Sequence, residues 1–441
     1  MTKKPISLYI HIPYCIRKCL YCDFLSFPIG EKLRSTGECG GKCNEKCSIE
    51  VKNYVDSLCK EIKIWGDYLC KSHYVSTIFI GGGTPSVLDK DSLLKIENAV
   101  FEAFNVEEDL EFFKSLNRDS RQALNQALEF SMEVNPGTVD DDFYEYLKAS
   151  HVNRISIGLQ STEDSELKAL GRIHNYEEFL QTYELIKKAG IDNINIDLMQ
   201  ALPNQTYESY VKTLDKVLSI EPGHISAYSL IIEEETPFYE LNEMGRLNLP
   251  SEDMEREMYH ITKLILKDKG YDRYEISNYA KEGFECKHNL TYWSGGDYLG
   301  LGLGAASKLQ NIRFSNERDI SEYMLKVEKL DGLMQLDSTS KSDDSKHLEG
   351  LDIIKYYQDI EKLDTKAQME EFFFLGLRKT KGVSLKDFKE AFKMDPREIY
   401  GDVIDKYIEN RILEFDESGK MLRFTDYGTD VSNVCLSEFL L

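Results

Sequence analysis

The sequence predicts an α/β protein: a partial (β/α)6 barrel followed by a C-terminal helical, winged-helix-like domain. Two observations predict the barrel. Strand-like segments alternate with helix-like segments in the N-terminal half of the chain, which indicates right-handed βαβ units and a parallel sheet. Chemically unusual residues also follow each strand-like segment, as expected where parallel strands open onto one mouth. The alternation alone leaves an open doubly wound sheet or a complete barrel as alternatives.

Six segments rich in β-branched and aromatic residues predict the strands. They are, in chain order, 6–12 (ISLYIHI), 75–80 (VSTIFI), 130–134 (FSMEV), 154–159 (RISIGL), 193–198 (NINIDL) and 225–231 (ISAYSLI). Apolar residues at helical spacing lie between them, for example in 54–65 and 179–186. Several of these helical segments end at glycine, as the second example does at Gly190.

Distinctive residues lie at the predicted carboxyl ends of these strands. Each of them taken alone could have a purely structural role, because glycine makes turns and Asn, Asp and Gln cap helices. A shared barrel mouth explains the whole set better. The set comprises Cys15, Cys19 and Cys22 after the first strand, Gly81 to Pro85 after the second, Glu133 in the third, Gln160 after the fourth, Asp197 in the fifth, and Ile231 at the end of the sixth.

The rest of the chain predicts a connecting region and a separate tail. We expect a barrel core at 1–240 with a cysteine-containing insertion at 31–49, a connecting region at 241–336, a polar linker at 337–348 and a C-terminal domain at 349–441. In the tail, helix-like segments at 368–379, 384–393 and 400–410 precede a hairpin around Gly419, the order typical of a winged helix. The tail is not notably basic, so a lid or docking role is favoured over DNA binding.

The composition of the chain limits the cellular compartment and the kinds of partner that we expect. The 441 residues carry a formal net charge of −23, which repels phosphate backbones, so no nucleic-acid partner is expected. No apolar run approaches the roughly 18 residues of a membrane span, and the N-terminus lacks a signal-peptide core. Ten cysteines are too sparse for a disulfide scaffold and favour metal ligation or catalysis in a reducing compartment. We therefore expect a cytoplasmic protein.

The stretch HIPYCIRKCLYCDF places Cys15, Cys19 and Cys22 within eight positions. The spacing C-x3-C-x2-C on one loop can put three sulfurs on neighbouring corners of a cubane iron–sulfur cluster and leave one iron open to a small chelating molecule. The alternatives are a zinc site, which usually takes paired C-x2-C knuckles, and three thiols packed as small apolar groups.

This spacing, followed by GGGTP, resembles the radical S-adenosylmethionine (SAM) enzymes. The resemblance implies a TIM-like radical SAM barrel, a [4Fe–4S] cluster on Cys15, Cys19 and Cys22, and SAM chelating the fourth iron. Further segments resemble the oxygen-independent coproporphyrinogen oxidase family, including its heme chaperone branch, from about Leu8 to Ser307. These segments are YIHIPYCIRKCLYCDF, IFIGGGTPS, MEVNPG, RISIGLQS, LGRIH, NIDLMQALPNQT, YEISNYA and HNLTYW.

The resemblance also implies the residues that contact SAM. Their chemistry fits: a carboxylate accepts ribose hydroxyls or the ammonium group, arginine pairs with a carboxylate, and glycine permits close backbone approach. Ile231 matches an apolar contact near the adenine, although core packing explains it equally well. The matched positions are Tyr9, Gly82, Gly83, Thr84, Glu133, Gln160, Arg172, Asp197 and Ile231.

Phe24 distinguishes the branches of the family. The oxidase branch resembles C-x3-C-x2-C-x-C, with a fourth cysteine where this chain has Phe24, whereas the chaperone branch typically carries an aromatic residue there. His288 to Trp293 match the HNxxYW segment of that branch, which is linked to heme. A neutral imidazole is a good axial iron ligand, so His288 is the expected heme contact. The alternative is that His288 bonds within a turn and the aromatic residues are core.

These features together predict a heme chaperone that binds heme and transfers it to acceptor proteins, such as respiratory proteins, without coproporphyrinogen oxidase activity. The sequence leaves open whether the acceptor proteins lie at the membrane and whether the protein forms a homodimer. The alternatives are a coproporphyrinogen III dehydrogenase, in which a 5′-deoxyadenosyl radical abstracts hydrogen from a propionate, and a radical SAM enzyme acting on another substrate. Cys39, Cys43 and Cys47 are interpreted as a redox-sensitive loop rather than a second metal site.

Overall fold

Parallel strands adjacent in chain order form the centre of the structure. The computed structural model describes residues 3–29, 43–106, 128–339 and 352–441. The strands up to residue 362 are β1 (Lys4–Ile12), β2 (Tyr14–Cys15), β3 (Phe27–Pro28), β4 (His73–Gly82), β5 (Glu129–Val134), β6 (Arg154–Gln160), β7 (Asn193–Gln200), β8 (His224–Ser229), β9 (Asp272–Arg273), β10 (Asn278–Ala280), β11 (Tyr298–Leu301), β12 (Ala306–Leu309), β13 (Ile312–Ser315) and β14 (Gln358–Lys362).

The pairing of these strands defines an open barrel. The strands β1, β4, β5, β6, β7 and β8 correspond to the six predicted segments, and each pairs in parallel with the next. A doubly wound sheet would instead reverse its strand order part-way. Among the described pairings β8 does not meet β1: β10 adds antiparallel to β8, and β11 adds parallel to β1. The predicted partial (β/α)6 barrel is confirmed.

Helices cover the outside of this sheet and separate its parallel strands. Asn175 and Glu178 form a capping box that begins one of them, and Gly190, with φ of +90°, follows its end. None of the described helices is long and apolar enough to cross a membrane. The α-helices up to residue 339 are α1 (Cys43–Leu69), α2 (Lys90–Ala103), α3 (Asp141–Ala149), α4 (Asp164–Ala169), α5 (Tyr176–Lys188), α6 (Tyr207–Leu218), α7 (Pro237–Glu243), α8 (Glu252–Asp268), α9 (Lys287–Trp293) and α10 (Ile320–Thr339).

Side-chain alternation along the strands separates the core from the barrel interior. In β6 all seven residues are buried, yet only Ile155, Ile157 and Leu159 join the main apolar core. The intervening positions are polar or glycine, and Arg154 and Gln160 are the outermost of them. Because successive side chains of a strand point to opposite faces, the helices cover the apolar face and the polar face lines the interior. The candidate site is built on that polar face.

The tail is a separate helical unit with its own core, which contains Phe373, Phe388 and Tyr400. Its three-stranded sheet has the order β15-β17-β16, and the predicted hairpin is present as β16 and β17. The elements are α11 (Thr365–Gly376), β15 (Val383–Ser384), α12 (Leu385–Phe392), α13 (Pro396–Glu409), β16 (Leu413–Phe415), β17 (Met421–Phe424), α14 (Asp426–Asp430) and α15 (Ser432–Ser437).

Four segments differ from the sequence-based expectation. The predicted linker at 337–348 begins in a helix, because α10 continues to Thr339, and 340–348 lie outside the described residues. Strand β14, expected in the C-terminal domain, pairs with β13 and extends the main sheet. The sixth strand ends at Ser229 instead of residue 231. Of the expected insertion at 31–49, residues 31–42 lie outside the described chain and α1 begins at Cys43.

Candidate cofactor site at the barrel mouth

A loop carrying three cysteines crosses the carboxyl ends of the barrel strands. Cys15 lies in β2 and is buried, whereas Cys19 and Cys22 are partly exposed, and none of the three forms a disulfide. Leu20 N donates to Leu170 O at 3.1 Å, and the first turn of α7 donates to Leu20 O at 3.0 Å. Because these partners follow β6 and β8, the loop lies over the mouth of the barrel.

Hydrogen bonds connect two of these thiols through the neighbouring strand ends. Arg172 Nη1 lies 3.5 Å from Cys19 Sγ, and its Nη2 donates to Asn135 Oδ1 at 3.0 Å. Asn135 Nδ2 donates to Thr84 Oγ1 at 2.7 Å, and Thr84 Oγ1 donates to Cys15 Sγ at 3.5 Å. The loops after β4, β5 and β6 therefore support the cysteine loop jointly.

The guanidinium of Arg172 retains unused donor capacity. Its Nε atom is buried and has no hydrogen-bond partner among the described residues. One terminal nitrogen donates to Gly158 O, and a Cβ at Gly158 would approach that nitrogen to 2.7 Å. A cation with an unsatisfied donor, next to a thiol at the mouth, fits an anionic group there.

The three thiols match the donor chemistry of an iron–sulfur cluster. Burial raises the pKa of Cys15, and it raises that of Cys22 to about 11, so metal binding has to displace thiol protons. Across the described ranges, no group of three or more His, Cys, Asp or Glu is arranged to hold a single metal ion. Ligands of a cubane bind three different irons and need not converge on one point.

Two carboxyl groups face the interior just below the mouth. Glu133 Oε2 accepts a hydrogen bond from Gly82 N at 3.0 Å. Asp197 accepts from Asn195 Nδ2 at 2.7 Å and from Ser156 Oγ at 2.9 Å. Burial, followed by the charge of Asp197, raises the pKa of Glu133 to about 7, and burial also raises the pKa of Asp197. A cationic ligand group would offset this repulsion, and a ligand hydroxyl could donate a hydrogen bond to either carboxylate.

The glycine-rich segment after β4 packs tightly against its surroundings. Gly82 has φ of +106°, and a Cβ there would overlap the ring of His11. Gly83 N and Thr84 N donate at 2.8 and 2.7 Å to carbonyl oxygens at the end of β1 and the start of β2. With the Gly82 amide bonded to Glu133, all three amide groups are used within the protein. A ligand therefore meets the carbonyl oxygens or side chains of this segment.

Gln160 lies at an irregular strand end. The pairing of β6 with β7 shifts between Gly158 and Gln160, and Gln160 has φ of +72°. A positive φ is uncommon for a residue with a side chain and is a cost often found at functional positions. A Cβ added at Gly158 would lie 3.2 Å from Gln160 Nε2 and 2.7 Å from Arg172 Nη2, so the buried Gln160 side chain lies near Arg172 at the mouth.

Tyr9 occupies the interior wall formed by β1. Its hydroxyl lies 3.0 Å from His11 Nδ1, and its ring stacks on Phe79 with centroids 6.3 Å apart. Burial raises the pKa of Tyr9 well above its ordinary value, and the charge of Glu133 adds to this shift. Tyr9 therefore belongs to the same interior surface as the carboxyl group of Glu133.

His288 lies deeper in the barrel than the other predicted residues and is 1% exposed. A hydrogen bond of 2.7 Å joins its Nδ1 to Thr77 Oγ1, and one of 2.8 Å joins its Nε2 to Tyr292 OH. Thr77 donates its own proton to Ser7 Oγ, so Nδ1 is the donor and Nε2 accepts from Tyr292. Burial lowers the pKa of His288 to about 3. In this arrangement neither ring nitrogen is free to bind iron.

Apolar side chains form an exposed rim around the mouth. Ile231 is 66% exposed in the loop after β8, so the core-packing explanation for it is wrong. Phe24 in the cysteine loop is 61% exposed, and Ile173 after β6 is 45% exposed. An exposed apolar rim beside polar groups is typical of a ligand site.

Asn135 and Tyr21 are site residues that the sequence analysis did not single out. Asn135 connects Arg172 to Thr84 through hydrogen bonds. The MEVNPG segment at the end of the third strand was the sequence feature that could have identified it. Tyr21 lies in the cysteine loop and packs on Phe238 with centroids 6.4 Å apart. Burial raises its pKa, which the Arg172 charge opposes. Nothing in the sequence distinguished Tyr21 from other tyrosines.

Comparison with known families defines the class. Residues 9–217 match the Radical SAM superfamily, and residues 363–428 match the HemN C-terminal domain. The fold resembles that of coproporphyrinogen III oxidase from Escherichia coli, with a TM-score of 0.75 over 99% of this chain and 90% of that chain, at 18% identity. The fold and the cysteine-bearing mouth thus define a radical SAM protein, the class that uses a [4Fe–4S] cluster and SAM.

Relatives that align over the full length narrow the class. Over 441 residues the chain is 35% identical to heme chaperone HemW of Lactococcus lactis, covering 100% of this chain and 99% of that protein. It is 33% identical over 440 residues to the Bacillus subtilis protein of that name, covering 98% and 99%. The Escherichia coli protein is 37% identical over 306 residues, covering 69% and 70%. The chain belongs to the heme chaperone HemW family.

Proposed function

We propose that this protein binds heme and transfers it to acceptor proteins, with a [4Fe–4S] cluster and SAM at the barrel mouth. The observation that carries the proposal is the end-to-end similarity to a protein named as a heme chaperone, 35% identity over 441 residues. Phe24 supports it, because this exposed aromatic side chain stands where the oxidase branch carries a fourth cysteine. The likeness to the oxidase structure concerns the fold alone.

In this proposal Cys15, Cys19 and Cys22 hold the cluster. The thiols lie on one loop, and the donors Thr84 and Arg172 reach two of them. When bound, the cluster supplies an open iron for the amino and carboxylate groups of SAM and a centre for electron transfer or regulation. The protein itself positions the sulfurs and stabilises their negative charge through N–H and O–H donors.

The remaining predicted residues surround the space where SAM would lie. Glu133 and Asp197 are acceptors for its ammonium and ribose hydroxyl groups, and Arg172 is the donor for its carboxylate. Gln160, Tyr9 and the segment Gly82 to Thr84 form the walls of this space. Ile231, exposed at the rim, would lose solvent-exposed apolar surface on contact with the adenine.

Three narrower parts of the proposal concern location and assembly. We place the protein in the cytoplasm, supported by the free cysteines at the mouth, which suit a reducing compartment. We also propose that the acceptor proteins lie at the membrane and that the protein forms a homodimer. Cell fractionation, co-sedimentation with membranes, and light scattering of the purified protein test these parts separately.

Anaerobic reconstitution followed by two parallel assays tests the central proposal. Heme titration monitored at the Soret band is expected to show saturable binding, and transfer to an apo-acceptor is expected to follow. Coproporphyrinogen III decarboxylation is expected to be absent, and Phe24→Cys should not confer it, because radical chemistry requires substrate placement by many contacts. Turnover of coproporphyrinogen by the wild-type protein without heme binding would favour the enzyme instead.

A further inference from the structure

A groove lies between the barrel and the C-terminal domain. On the barrel side it is formed by α8 and β9, and on the other side by the end of α11, β17 and α14. It consists of two adjoining cavities of about 600 and 330 Å³. They share Lys263, Arg273 and Asp426. This volume lies in the range of about 300–1,000 Å³ that cofactor sites occupy, and such sites often lie between domains.

The groove is basic although the chain is acidic. It is lined by six Lys or Arg residues and four Asp or Glu residues, in a chain of net charge −23. Each of the four acids already has a basic partner. The pairs are Lys263 with Asp426, Lys267 with Asp272, Arg423 with Glu414 at 2.9 Å, and His260 with Asp430 at 3.6 Å.

Arg273, Arg378 and Lys379 are the basic residues left over. Across the described chain none of them forms an ion pair within 4.0 Å. Arg273 Nη1 donates to Tyr259 OH at 2.6 Å, and Lys379 Nζ donates to Ser294 Oγ at 3.1 Å. The carboxyl groups of Asp426, Glu275 and Asp387 act on Arg273, Arg378 and Lys379, respectively, only from beyond 4.0 Å. An anionic ligand in direct contact would therefore offset part of the desolvation cost of these partly buried cations.

Arg378 connects the groove to the HNxxYW segment. Its guanidinium lies over the indole ring of Trp293, with Cζ 4.7 Å from the ring centroid, while its Nε is buried without a hydrogen-bond partner among the described residues. Trp293 ends α9, the helix that carries His288. The motif therefore meets the groove through its tryptophan, whereas its histidine points into the barrel.

The groove also offers apolar contact surface. Ile276 and Phe424 are partly exposed in the larger cavity, and Leu377, Tyr271 and Tyr279, each 2% exposed, form the wall behind them. In the smaller cavity Tyr427 is 60% exposed. A pocket with apolar and aromatic walls and a few convergent charges suits a flat apolar ligand that carries carboxylates.

His260 is the accessible imidazole at this groove. Among the seven histidines of the described chain, five are at most 7% exposed: His11, His73, His174, His224 and His288. The His260 side chain is 50% exposed, and the Nε2 contact to Asp430, at 3.6 Å, is long for a hydrogen bond. The other exposed histidine, His151, lies 2.8 Å from Glu97 and stacks on Phe101, and it lines neither cavity of the groove.

We propose that the groove is the heme site, with the propionates on Arg273, Arg378 and Lys379 and the iron on His260. The inference rests on the proposed function, since it names the place where the cargo binds. Heme combines two carboxylates, a flat apolar ring and an iron that accepts imidazole, and the groove presents a counterpart to each. The site is distinct from the cluster loop, so heme and SAM bind without competition.

Heme titration of matched variants tests this site. Arg378→Gln/Lys379→Gln is expected to raise the Kd by about tenfold or more, and His260→Ala to shift the Soret band. The matched controls are His151→Ala, an exposed histidine elsewhere, and Lys386→Gln/Lys389→Gln, an exposed lysine pair of the same domain; both should stay within twofold of wild type. Thermal unfolding and iron content verify that each variant is folded.

A ligand-side test needs no variant. The dimethyl ester of heme, whose propionates carry no charge, is expected to bind wild-type protein about tenfold or more weakly than heme. Equal affinity for the ester, or unchanged titrations in both groove variants, would overturn the site while leaving heme binding intact. Absence of heme binding by the folded, cluster-containing wild type would instead overturn the proposed function.

Discussion

Arg172 Nη1 lies 3.5 Å from Sγ of Cys19, and so places a guanidinium from the turn between α4 and α5 against a thiol from the loop after β2. The two residues are 153 positions apart in the chain. The same guanidinium also reaches Asn135, after β5. One side chain thus connects the cysteine loop, the loop after β5 and, through Gly158 O, strand β6.

Replacing Arg172 tests this relationship. Hydrogen bonds to ligand sulfurs are among the factors that set cluster potentials, because they stabilise the added negative charge of the reduced state. Arg172→Ala is expected to shift the reduction potential of the reconstituted cluster to a more negative value, and Arg172→Lys to shift it less. Redox titration followed by electron paramagnetic resonance measures this shift. Arg17→Ala, which removes an arginine of the cysteine loop itself, is the control. Identical potentials in all variants would show that the guanidinium does not bond a ligand sulfur.

Single replacements of Cys15, Cys19 or Cys22 by alanine test the cluster ligands. Each is expected to abolish the absorbance and the paramagnetic signal of the reconstituted cluster, because three thiolates are the minimum ligation that the loop provides. The matched control replaces Cys39, Cys43 and Cys47 together and is expected to retain the signal. Loss of the signal in that control would assign a cluster-binding role to the second cysteine group.

The two interior carboxyl groups are expected to determine SAM affinity. Asp197→Asn and Glu133→Gln should each weaken SAM binding by about 10- to 150-fold, which corresponds to the loss of one charge-assisted hydrogen bond of about 1.5–3 kcal/mol, with iron content unchanged. Calorimetry on reconstituted protein measures this. Asp192→Asn is the control, because this acid precedes β7 and pairs with Lys187 at the surface. Wild-type affinity in both test variants would place SAM elsewhere.

Glu133 also predicts a pH-dependent stability of the SAM-free protein. Its pKa rises from 4.5 to about 7 on folding, so the folded state holds a proton that the unfolded state releases, and stability falls as the pH rises between these values. Glu133→Gln removes this cost, with an expected gain of about 1–2 kcal/mol at pH 8 and little change at pH 4.5, after allowance for partial exposure. Denaturant unfolding at both pH values measures the difference. Glu145→Gln, an exposed acid, is the control, and an equal gain at both pH values would contradict the shift.

His288→Ala separates a structural role from a heme-binding role. Both ring nitrogens are hydrogen-bonded in the core, so the variant is expected to lose about 1–3 kcal/mol of stability per unsatisfied partner group and to show a lower melting temperature. If heme lies in the groove, the Soret maximum of the bound heme stays at its wild-type position. A shifted maximum in a folded variant would return the axial ligand to His288, as the sequence motif suggests.

Much of the barrel could be predicted from the sequence because its signals are local. Each of the six parallel strands overlaps its predicted segment. A run of β-branched residues bounded by turn residues is typical of a buried parallel strand, so the signal lies within the segment itself. The cysteine spacing and the glycine-rich segment are likewise local, and they led to a class that the family comparisons confirm. The sixth strand was predicted to reach Ile231 but ends at Ser229, because nothing in the neighbouring sequence marks the end of β8.

The tertiary structure decided which side chains meet. The resemblance of 288–293 to the HNxxYW segment, together with the affinity of imidazole for iron, paired His288 with heme. The sequence carried no information on the burial of that ring against Thr77 and Tyr292. It gave no sign of the groove, whose residues 260, 273, 378 and 427 come from separate segments. Strand type follows from neighbours along the chain, whereas ion pairing and exposure depend on elements that packing brings together. For that reason the sequence determined the class of cofactor, and the fold alone decided which cations were left without an acidic partner.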